Sequence, residues 1–398
     1  MKNNREQQWG FWYLLPIYPY QKRITLRQEV IKNKIWIFDQ PHGFLYAVVP
    51  IRMTVIKLEK GGLLVYCPIA PTKECIKLVR ELEAIHGQVK YIIHSTSSGL
   101  EHKIFVGPFA RSFPQAQVWY GTNQWSFPLG LPLSWLGFPR RRTFKLPDNW
   151  RESPFADEFS YECVDVKVSA GSFGEVALLH RSSQTLLVTD AVIKIPATPP
   201  AIIEQDSFPM LFHARETALD NLEDNAVNRL KGWQRICLFA LYFRPSMIDT
   251  PTIADLLSEA TQCSDRSSKN YFGLFPFRWR SNWFKSFEAI VNLDIPLVAP
   301  ILRSLILPQD IDAVRDWVSQ ISTWQFTQII PAHFSAPIEA NAQQFKQAFQ
   351  FLESGATPPN QQIYPSGNEQ IQKVDRQFIK QLEATLVKFK VVKPSSVE

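Results

Sequence analysis

Four side chains that can ligate a metal stand at the ends of apolar, β-branched runs that lie far apart in the chain. They are two carboxylates and two imidazoles: Glu101, His102, Asp190 and His333. Sites in α/β proteins are assembled where strands end along one edge of a sheet, so we expect these four residues to converge. Such a donor set can hold one divalent ion, and Zn²⁺, Fe²⁺ and Mn²⁺ are the candidates.

Each of the four residues also has a purely structural explanation. Glu101 and Ser98 fit the capping-box pattern of a helix N-terminus, where the helix macrodipole also favours a carboxylate. His102 can bond a backbone carbonyl, Asp190 can cap the segment after it, and His333 can pack in a loop. Without a metal, the four would form two histidine–carboxylate pairs in which imidazolium ions balance the carboxylates. The sequence is consistent with both interpretations, a metal site and metal-free histidine–carboxylate pairs.

The elements that would position these residues begin with β-hairpins and continue as βα units. Thr72–Ile85 has the periodicity of an amphipathic helix, with Thr72 as its N-cap and Gly87 as its end. A strand at Val89–Ile93 follows, and a second helix is predicted over 99–112. This order predicts a mixed sheet with helices on its outside.

The second half returns to strands, becomes helical and then closes the sheet. Residues 121–156, rich in Pro, Trp and Phe, are predicted to form a long loop whose aromatic side chains anchor it to the core. Later elements are predicted as strands at 163–168, 175–180, 185–189 and 326–330 and helices at 226–243, 251–260, 311–324, 338–352 and 369–388. We divide the chain into an N-terminal extension (1–34), a main domain (35–353) with a helical insertion at about 200–290, and a C-terminal linker with a tail helix (354–398).

Composition narrows the class of protein without identifying a partner. The chain has 398 residues, of which 45% are hydrophobic, and a formal net charge of +6. Its five cysteines form no CxxC pair, which favours reduced thiols and a cytoplasmic location. No apolar run reaches the length of a transmembrane helix, and peripheral membrane contact through the aromatic segment 9–20 stays open. Nucleotide-binding glycine fingerprints and RNA-binding motifs are absent, so nucleic acid is not an expected partner.

The segment 96–102, Thr-Ser-Ser-Gly-Leu-Glu-His, resembles the first motif of the metallo-β-lactamase superfamily. That motif, T-H-x-H-x-D-H, lies at a turn from a strand into a helix. Its two leading histidines correspond to Ser97 and Gly99 in this chain. Its aspartate corresponds to Glu101, and its final histidine to His102.

Three later positions extend this resemblance. In the segment that matches H-T-x-G-S, Val168 replaces the histidine. The aspartate that bridges two metals in the superfamily corresponds to Asp190, and the last histidine to His333. The resemblance implies that the histidines of one metal site are missing, whereas the four positions of the other site keep side chains that can ligate.

Longer segments resemble an uncharacterised family of cyanobacteria and plants that carries only a domain-of-unknown-function label. The resemblance runs from about residue 27 to residue 352 and is carried by PIRMTVIKLEKGGLLVYCPIAPT, TSSGLEHKIFVGPFARSFPQAQVW and GWQRICLFALYFRPS. It implies an α/β fold, a metallo-β-lactamase-like αββα sandwich with an N-terminal extension and a helical insertion. It brings no known reaction with it.

Two functional hypotheses follow from these motifs. The first is a pseudoenzyme or scaffold without a dinuclear centre, which binds a small molecule or protein in the former active-site cleft. The alternative is a mononuclear metal-dependent hydrolase acting on a small ester, thioester or phosphoester. In that enzyme Asp190 would be the catalytic base or orient water, and Arg140 or Arg142 would contact an anion.

Overall fold

Two β-sheets stacked face to face form the frame of the molecule. The computed structural model of the protein describes residues 5–10, 17–97, 101–121, 123–124, 130–168, 171–242, 245–291, 293–353 and 369–388. Its strands, in chain order, are β1 Leu26–Ile31, β2 Ile35–Phe44, β3 Ala47–Lys57, β4 Leu63–Tyr66, β5 Val89–His94, β6 Gln117–Tyr120, β7 Thr143–Lys145, β8 Phe159–Val168, β9 Gly171–His180, β10 Thr185–Val188, β11 Ile248–Asp249, β12 Arg278–Trp279, β13 Gln328–Pro331 and β14 Ile338–Glu339.

The first sheet runs in chain order from β1 to β7, and the second has the order β14-β13-β10-β9-β8. Strands β1 to β4 are antiparallel, whereas β4 to β7 are parallel and therefore need crossover connections. Helices make the first two crossovers, and a loop joins β6 to β7. The α-helices are α1 Lys73–His86, α2 Lys103–Ser112, α3 Phe208–Ala214, α4 Ala226–Tyr242, α5 Ile253–Gln262, α6 Phe284–Val291, α7 Ile311–Ile321, α8 Ala342–Ala348 and α9 Glu369–Lys388.

Alternation of apolar side chains along the strands separates the layers of the sandwich. Val65 and Ile92 face α1 and α2 on the outside of the first sheet, within one buried cluster. Their neighbours Leu64 and Ile93 face the second sheet, where Leu187 joins the same central cluster. A third cluster buries the outer face of the second sheet against α7 and α8. The predicted αββα sandwich is therefore confirmed.

Helix α1 forms as its sequence predicts. Thr72 accepts a hydrogen bond from the Cys75 backbone N–H at 3.2 Å, which caps the first turn. The helix ends at Gly87, whose φ of 96° lies in the region that favours glycine. Val79 and Leu82 are buried on the face towards the sheet. The helix carries the chain from β4 to the parallel strand β5, which leads to Glu101.

The predicted helical insertion lies between β10 and β13. Its helices α3, α4 and α6 share an apolar cluster in which Trp233 and Leu241 pack with Val48 of β3. Helix α9 adds Ile379 to this cluster, and its buried Asp375 accepts a hydrogen bond from the Ser246 hydroxyl. The tail helix is therefore packed against the insertion.

Two predicted elements are wrong. The helix predicted over 338–352 is a strand, β14, followed by the shorter α8, because Asn341 and Gln344 form a capping box that starts the helix there. The loop predicted over 121–156 contains β7, which pairs in parallel with β6. A three-residue strand is too short to show a period in the sequence.

The N-terminal part of the chain contributes to the first sheet. Strand β1, which lies inside the predicted extension 1–34, pairs antiparallel with β2. The predicted domain boundaries stay a prediction. Within the described ranges, no helix combines the length and the apolar composition needed to span a membrane.

Candidate functional site

Glu101, Asp190 and His333 meet at the edge of the sandwich where β10 and β13 end. Because these strands are parallel and Val188 pairs with Pro331, the residues two positions later leave the sheet side by side. His333 Nε2 lies 3.2 Å from Glu101 Oε2 and 3.3 Å from Asp190 Oδ1. One donor atom from each residue lies within 4.8 Å of the others. The structure thus brings three of the four predicted ligands together.

His333 is oriented by a backbone carbonyl behind it. Its Nδ1 lies 2.9 Å from the carbonyl oxygen of Pro50. Because a carbonyl only accepts, Nδ1 carries a proton and Nε2 faces the two carboxylates. Burial by itself lowers the pKa of His333, but Glu101 and Asp190 outweigh burial and raise this pKa well above its usual value. In the absence of another cation, the ring is therefore an imidazolium.

The two carboxylates of the cluster remain open to solvent. The Glu101 side chain is 40% exposed and that of Asp190 is 30% exposed, whereas His333 is 8% exposed. Burial opposes the ionisation of Glu101, but the charge of His333 and its hydrogen bond lower the Glu101 pKa overall. The partner predicted to cap with Glu101, Ser98, lies outside the described residues.

His102 lies beside this cluster and its nitrogens do not join it. Its ring centroid is 6.2 Å from that of His333, and its Nδ1 lies 3.0 Å from the carbonyl oxygen of Pro68. The side chain is buried, and Nε2 has no hydrogen-bond partner among the described residues. Burial lowers the pKa of His102, so the ring is held as a neutral imidazole with an unpaired nitrogen.

Glu175 holds the backbone at Asp190 in place and is not among the site residues predicted from the sequence. It is a buried residue of β9, and its carboxylate accepts backbone N–H bonds from Thr189 at 2.8 Å, Asp190 at 3.0 Å and Ala191 at 2.9 Å. Burial and the nearby Asp190 raise the pKa of Glu175 to about 8, although the three N–H groups act in the opposite direction. This glutamate fixes the turn on which Asp190 sits.

Arg52 supports His333 in a comparable way. This buried residue of β3 donates to the carbonyls of Pro331 and Phe334, both at 2.8 Å, and pairs with Asp39 at 2.8 Å. The guanidinium therefore clamps the segment 331–334 from both sides of the histidine. A charged residue within the apolar stretch 47–57 is the sequence signal for Arg52, as Glu175 is within β9.

A buried chain of hydroxyl and thiol groups joins the two sheets beneath the cluster. Ser95 Oγ lies 2.5 Å from Thr189 Oγ1 and 2.7 Å from Cys67 Sγ. Burial raises the pKa of Cys67 to about 12, so this thiol stays protonated. The backbone continues the link, because Val176 N donates to Ser95 O at 2.9 Å.

The arginines and aromatic residues of the loop 121–156 have different roles. Arg142 donates to three backbone carbonyls at the end of α2 and just beyond it, so its guanidinium anchors the loop. Arg140 is exposed, and its contact with an anion stays a prediction. Phe138 is buried as predicted, but Trp135 is 72% exposed and does not anchor the loop. Trp125 and Phe127 lie outside the described residues.

The distances around His333 fit a single metal ion. Ligand atoms bound at about 2.0–2.2 Å to one ion are separated by about 3.0–3.5 Å when the angles between them are near octahedral or tetrahedral values. The separations of 3.2 and 3.3 Å fall in this range. A metal-bound histidine commonly donates its other ring N–H to a carbonyl, as His333 does to Pro50. His333 and either carboxylate therefore have the spacing of ligands to one divalent ion, and the third donor lies within 4.8 Å.

The stacked sheets and the outer helices form an αββα sandwich with a polar cluster at the strand ends. The chain belongs to the family described as "Domain of unknown function (DUF4336)", whose model matches residues 32–351. The predicted resemblance to a family with only a domain-of-unknown-function label is thereby confirmed. No curated protein sequence matches the chain.

Solved structures with similar folds share little sequence with this chain. A metal-soaked flavodiiron core from Synechocystis has 8% identity and a TM-score of 0.42, covering 83% of this chain and 61% of its own. A flavoprotein from Thermotoga maritima has 8% identity and a TM-score of 0.41, with coverages of 83% and 62%. A metallo-β-lactamase from Pontibacter korlensis has 11% identity and a TM-score of 0.31, with coverages of 44% and 75%. This chain spans less than two thirds of the first two.

Proposed function

We propose that this protein binds one divalent metal ion through Glu101, Asp190 and His333 and acts as a mononuclear metal-dependent hydrolase. The observation that supports the proposal is the convergence of three donor atoms, at separations of 3.2 and 3.3 Å from His333 Nε2. A bound divalent ion supplies Lewis acidity and lowers the pKa of a coordinated water. Small esters, thioesters and phosphoesters are the substrate classes that such chemistry serves.

The residues of the chain supply positioning and proton transfer. Asp190 contacts His333 through Oδ1 and is 30% exposed, so its carboxylate can orient a water molecule and accept its proton. Glu175 holds the Asp190 backbone, and Arg52 holds the His333 segment, before any ligand arrives. His102 Nε2 is a further donor atom beside the cluster that a small side-chain movement would bring nearer.

The first test is the metal content of the purified protein, measured by elemental mass spectrometry. We expect near-stoichiometric metal in the wild type and loss of that metal in Asp190→Ala/His333→Ala. Asp148→Ala/His86→Ala removes the same two residue types far from the cluster and should keep the metal. Wild-type protein that stays empty after dialysis against Zn²⁺, Fe²⁺ and Mn²⁺ would overturn the proposal.

Hydrolysis is tested separately from binding. The metal-loaded protein is assayed with 4-nitrophenyl acetate, a thioester of coenzyme A and 4-nitrophenyl phosphate. We expect turnover of one class, loss with a chelator and recovery when the metal is restored. If the protein binds metal but turns over none of the three substrates, the metal site is supported and the hydrolase activity is contradicted.

A metal-free cleft is the second candidate, and the hydrogen bonding within the cluster favours it. Protonated His333 lies within hydrogen-bond distance of both carboxylates, so the three groups are stable together without a metal. In this case the protein is a pseudoenzyme that holds a small molecule or protein in the cleft. Nitrogen-15 NMR distinguishes the candidates, because added Zn²⁺ should displace the proton from His333 Nε2 only if a metal site exists.

A further inference from the structure

A pocket separate from the Glu101–Asp190–His333 cluster lies where residues 18–24 meet the β2–β3 hairpin and the start of the helical insertion. Its volume is about 670 Å³, and none of the three cluster residues lines it. Small-molecule sites have volumes of about 300–1,000 Å³ and are lined mainly by apolar and aromatic groups. The pocket has the size of such a site.

Tyrosine rings form the wall of this pocket. Tyr18 packs edge-on against Tyr20 and Tyr46, with ring centroids 5.9 and 5.6 Å apart. Two of the hydroxyls already have partners, since Tyr18 donates to Asp206 and Tyr46 donates to the Lys269 carbonyl at 2.5 Å. Tyr20 is half-buried, whereas Tyr18 and Tyr46 are 6% and 2% exposed, so the cavity meets the Tyr20 ring and only the edges of the other two. This apolar wall suits a flat, ring-bearing ligand.

The backbone at this wall adopts conformations that L-residues rarely take. Tyr20 and Tyr46 have φ values of 56° and 62°, and Tyr271, whose ring centroid lies 5.3 Å from that of Tyr46, has a φ of 47°. Positive φ at a bulky aromatic residue costs stability and persists where the surroundings enforce it. Tyr20 and Tyr46 both line the pocket, so this strained backbone is part of its wall.

The charge of the lining favours an anion. Lys22 and Lys269 line the pocket, are exposed and form no ion pair with any described residue. The ammonium of Lys269 lies 3.9 Å from the Phe208 ring centroid. Asp206 is the acidic residue among those that line the pocket, and it already accepts from Tyr18. Two lysines against one bonded carboxylate give the pocket a positive potential.

We propose that this pocket binds a small aromatic carboxylate, with its ring against Tyr20 and the edges of Tyr18 and Tyr46 and its carboxylate towards Lys22 and Lys269. The chemistry needed is a flat apolar body with one negative charge at its edge. The pocket contains none of the metal-cluster residues. A negative result for the pocket therefore does not contradict the hydrolase proposal, and the reverse also holds.

The test is an NMR titration of the full chain, labelled with carbon-13 in its tyrosine rings, with 2-naphthoate as the probe. We expect saturable binding at one site that shifts the Tyr18, Tyr20 and Tyr46 signals, assigned through single Tyr→Phe variants. Neutral 2-naphthol has the same ring without the charge and should bind at least about fivefold more weakly.

Charge-reversal variants test the role of the lysines. Lys22→Glu/Lys269→Glu should weaken 2-naphthoate binding at least about fivefold, because both attractions become repulsions. Lys32→Glu/Lys90→Glu makes the same change in net charge at exposed sites outside the pocket and should leave the affinity unchanged. All four positions are exposed, so these variants are expected to fold.

Three results would overturn the proposal. One is the absence of saturable shifts at Tyr18, Tyr20 and Tyr46. Another is equal affinity for 2-naphthoate and 2-naphthol. The last is equal affinity of the two charge-reversal variants, which would show that the lysines of the pocket have no special role.

Discussion

The two sides of the polar cluster differ in how their buried groups are bonded. On the side of Asp190 and His333, Glu175 accepts hydrogen bonds from three backbone N–H groups, and Arg52 donates hydrogen bonds to two backbone carbonyls. On the other side, both ring nitrogens of His42 in β2 are buried without hydrogen-bond partners among the described residues. One side is fixed by ionisable side chains bonded to the backbone, whereas the buried histidine nitrogens of the other have no such bonds.

The two sides therefore contain side chains with different roles: some hold the backbone in place, and others have atoms that are free to bind a ligand. Groups that are fully bonded hold the backbone in place and have no donor or acceptor left for a ligand. Nitrogens left unpaired in a buried site cost stability, and they remain free to bind. We therefore expect substitutions on the bonded side to destabilise the fold and those on the unpaired side to change how stability responds to pH.

Arg52→Met should have the largest effect. It removes a buried charge and leaves Asp39 and the carbonyls of Pro331 and Phe334 without their partner, at a cost of about 3–5 kcal/mol in the free energy of unfolding. Urea denaturation measures this loss. Arg27→Met is the control, since Arg27 pairs with Glu81 at the surface and its loss should cost under about 1 kcal/mol. Equal losses of unfolding free energy in the two variants would show that Arg52 contributes no more than a surface arginine.

Glu175→Gln should have the next largest effect. The amide keeps one acceptor oxygen but turns an NH₂ group towards backbone N–H donors, so we expect a loss of about 1–3 kcal/mol in the free energy of unfolding. Glu162→Gln changes a half-buried glutamate on the neighbouring strand and should cost less. If the two variants unfold at the same urea concentration, Glu175 does not hold the Asp190 turn.

His42 should control part of the acid sensitivity of the protein. Burial lowers its pKa from 6.5 to about 3 in the folded state. Between these values the unfolded chain binds a proton that the folded chain does not, so stability falls as the pH decreases through this window.

His42→Phe should therefore reduce the dependence of the free energy of unfolding on pH by about 1.4 kcal/mol per pH unit between about pH 6 and pH 4. Denaturation curves at several pH values measure the slope. His86→Phe, at a half-buried histidine on α1, should leave most of the slope in place. An unchanged slope in His42→Phe would contradict the assignment.

Ser95→Ala should give the smallest change. It removes the hydroxyl that links Thr189 to Cys67 between the two sheets, which is worth about 1 kcal/mol in the free energy of unfolding. Ser182→Ala removes an exposed hydroxyl bonded to Lys34 and should be nearly neutral. Thermal unfolding of both variants tests whether the link between the sheets contributes to stability.

The sequence predicted the parts of the fold that local rules determine. Thr72 and Gly87 delimit α1 as the capping pattern predicts, and the strand ends bring Asp190 and His333 together. Arg52 and Glu175 could not be assigned roles, because their partners are backbone groups whose positions are defined only by the folded chain. Residues 338–352 were misread as a helix because apolar spacing in a short segment fits several periods.

The parallel pairing of β10 with β13 makes the helical insertion exchangeable. The chain leaves the sheet after Val188 and returns at Gln328 to the strand beside it, so everything between them begins and ends at fixed points. Lengthening, shortening or replacing α3 to α6 within that segment would leave Asp190 and His333 where the register puts them. Evolution, or a protein engineer, can therefore change what surrounds the cleft without rebuilding the cleft itself.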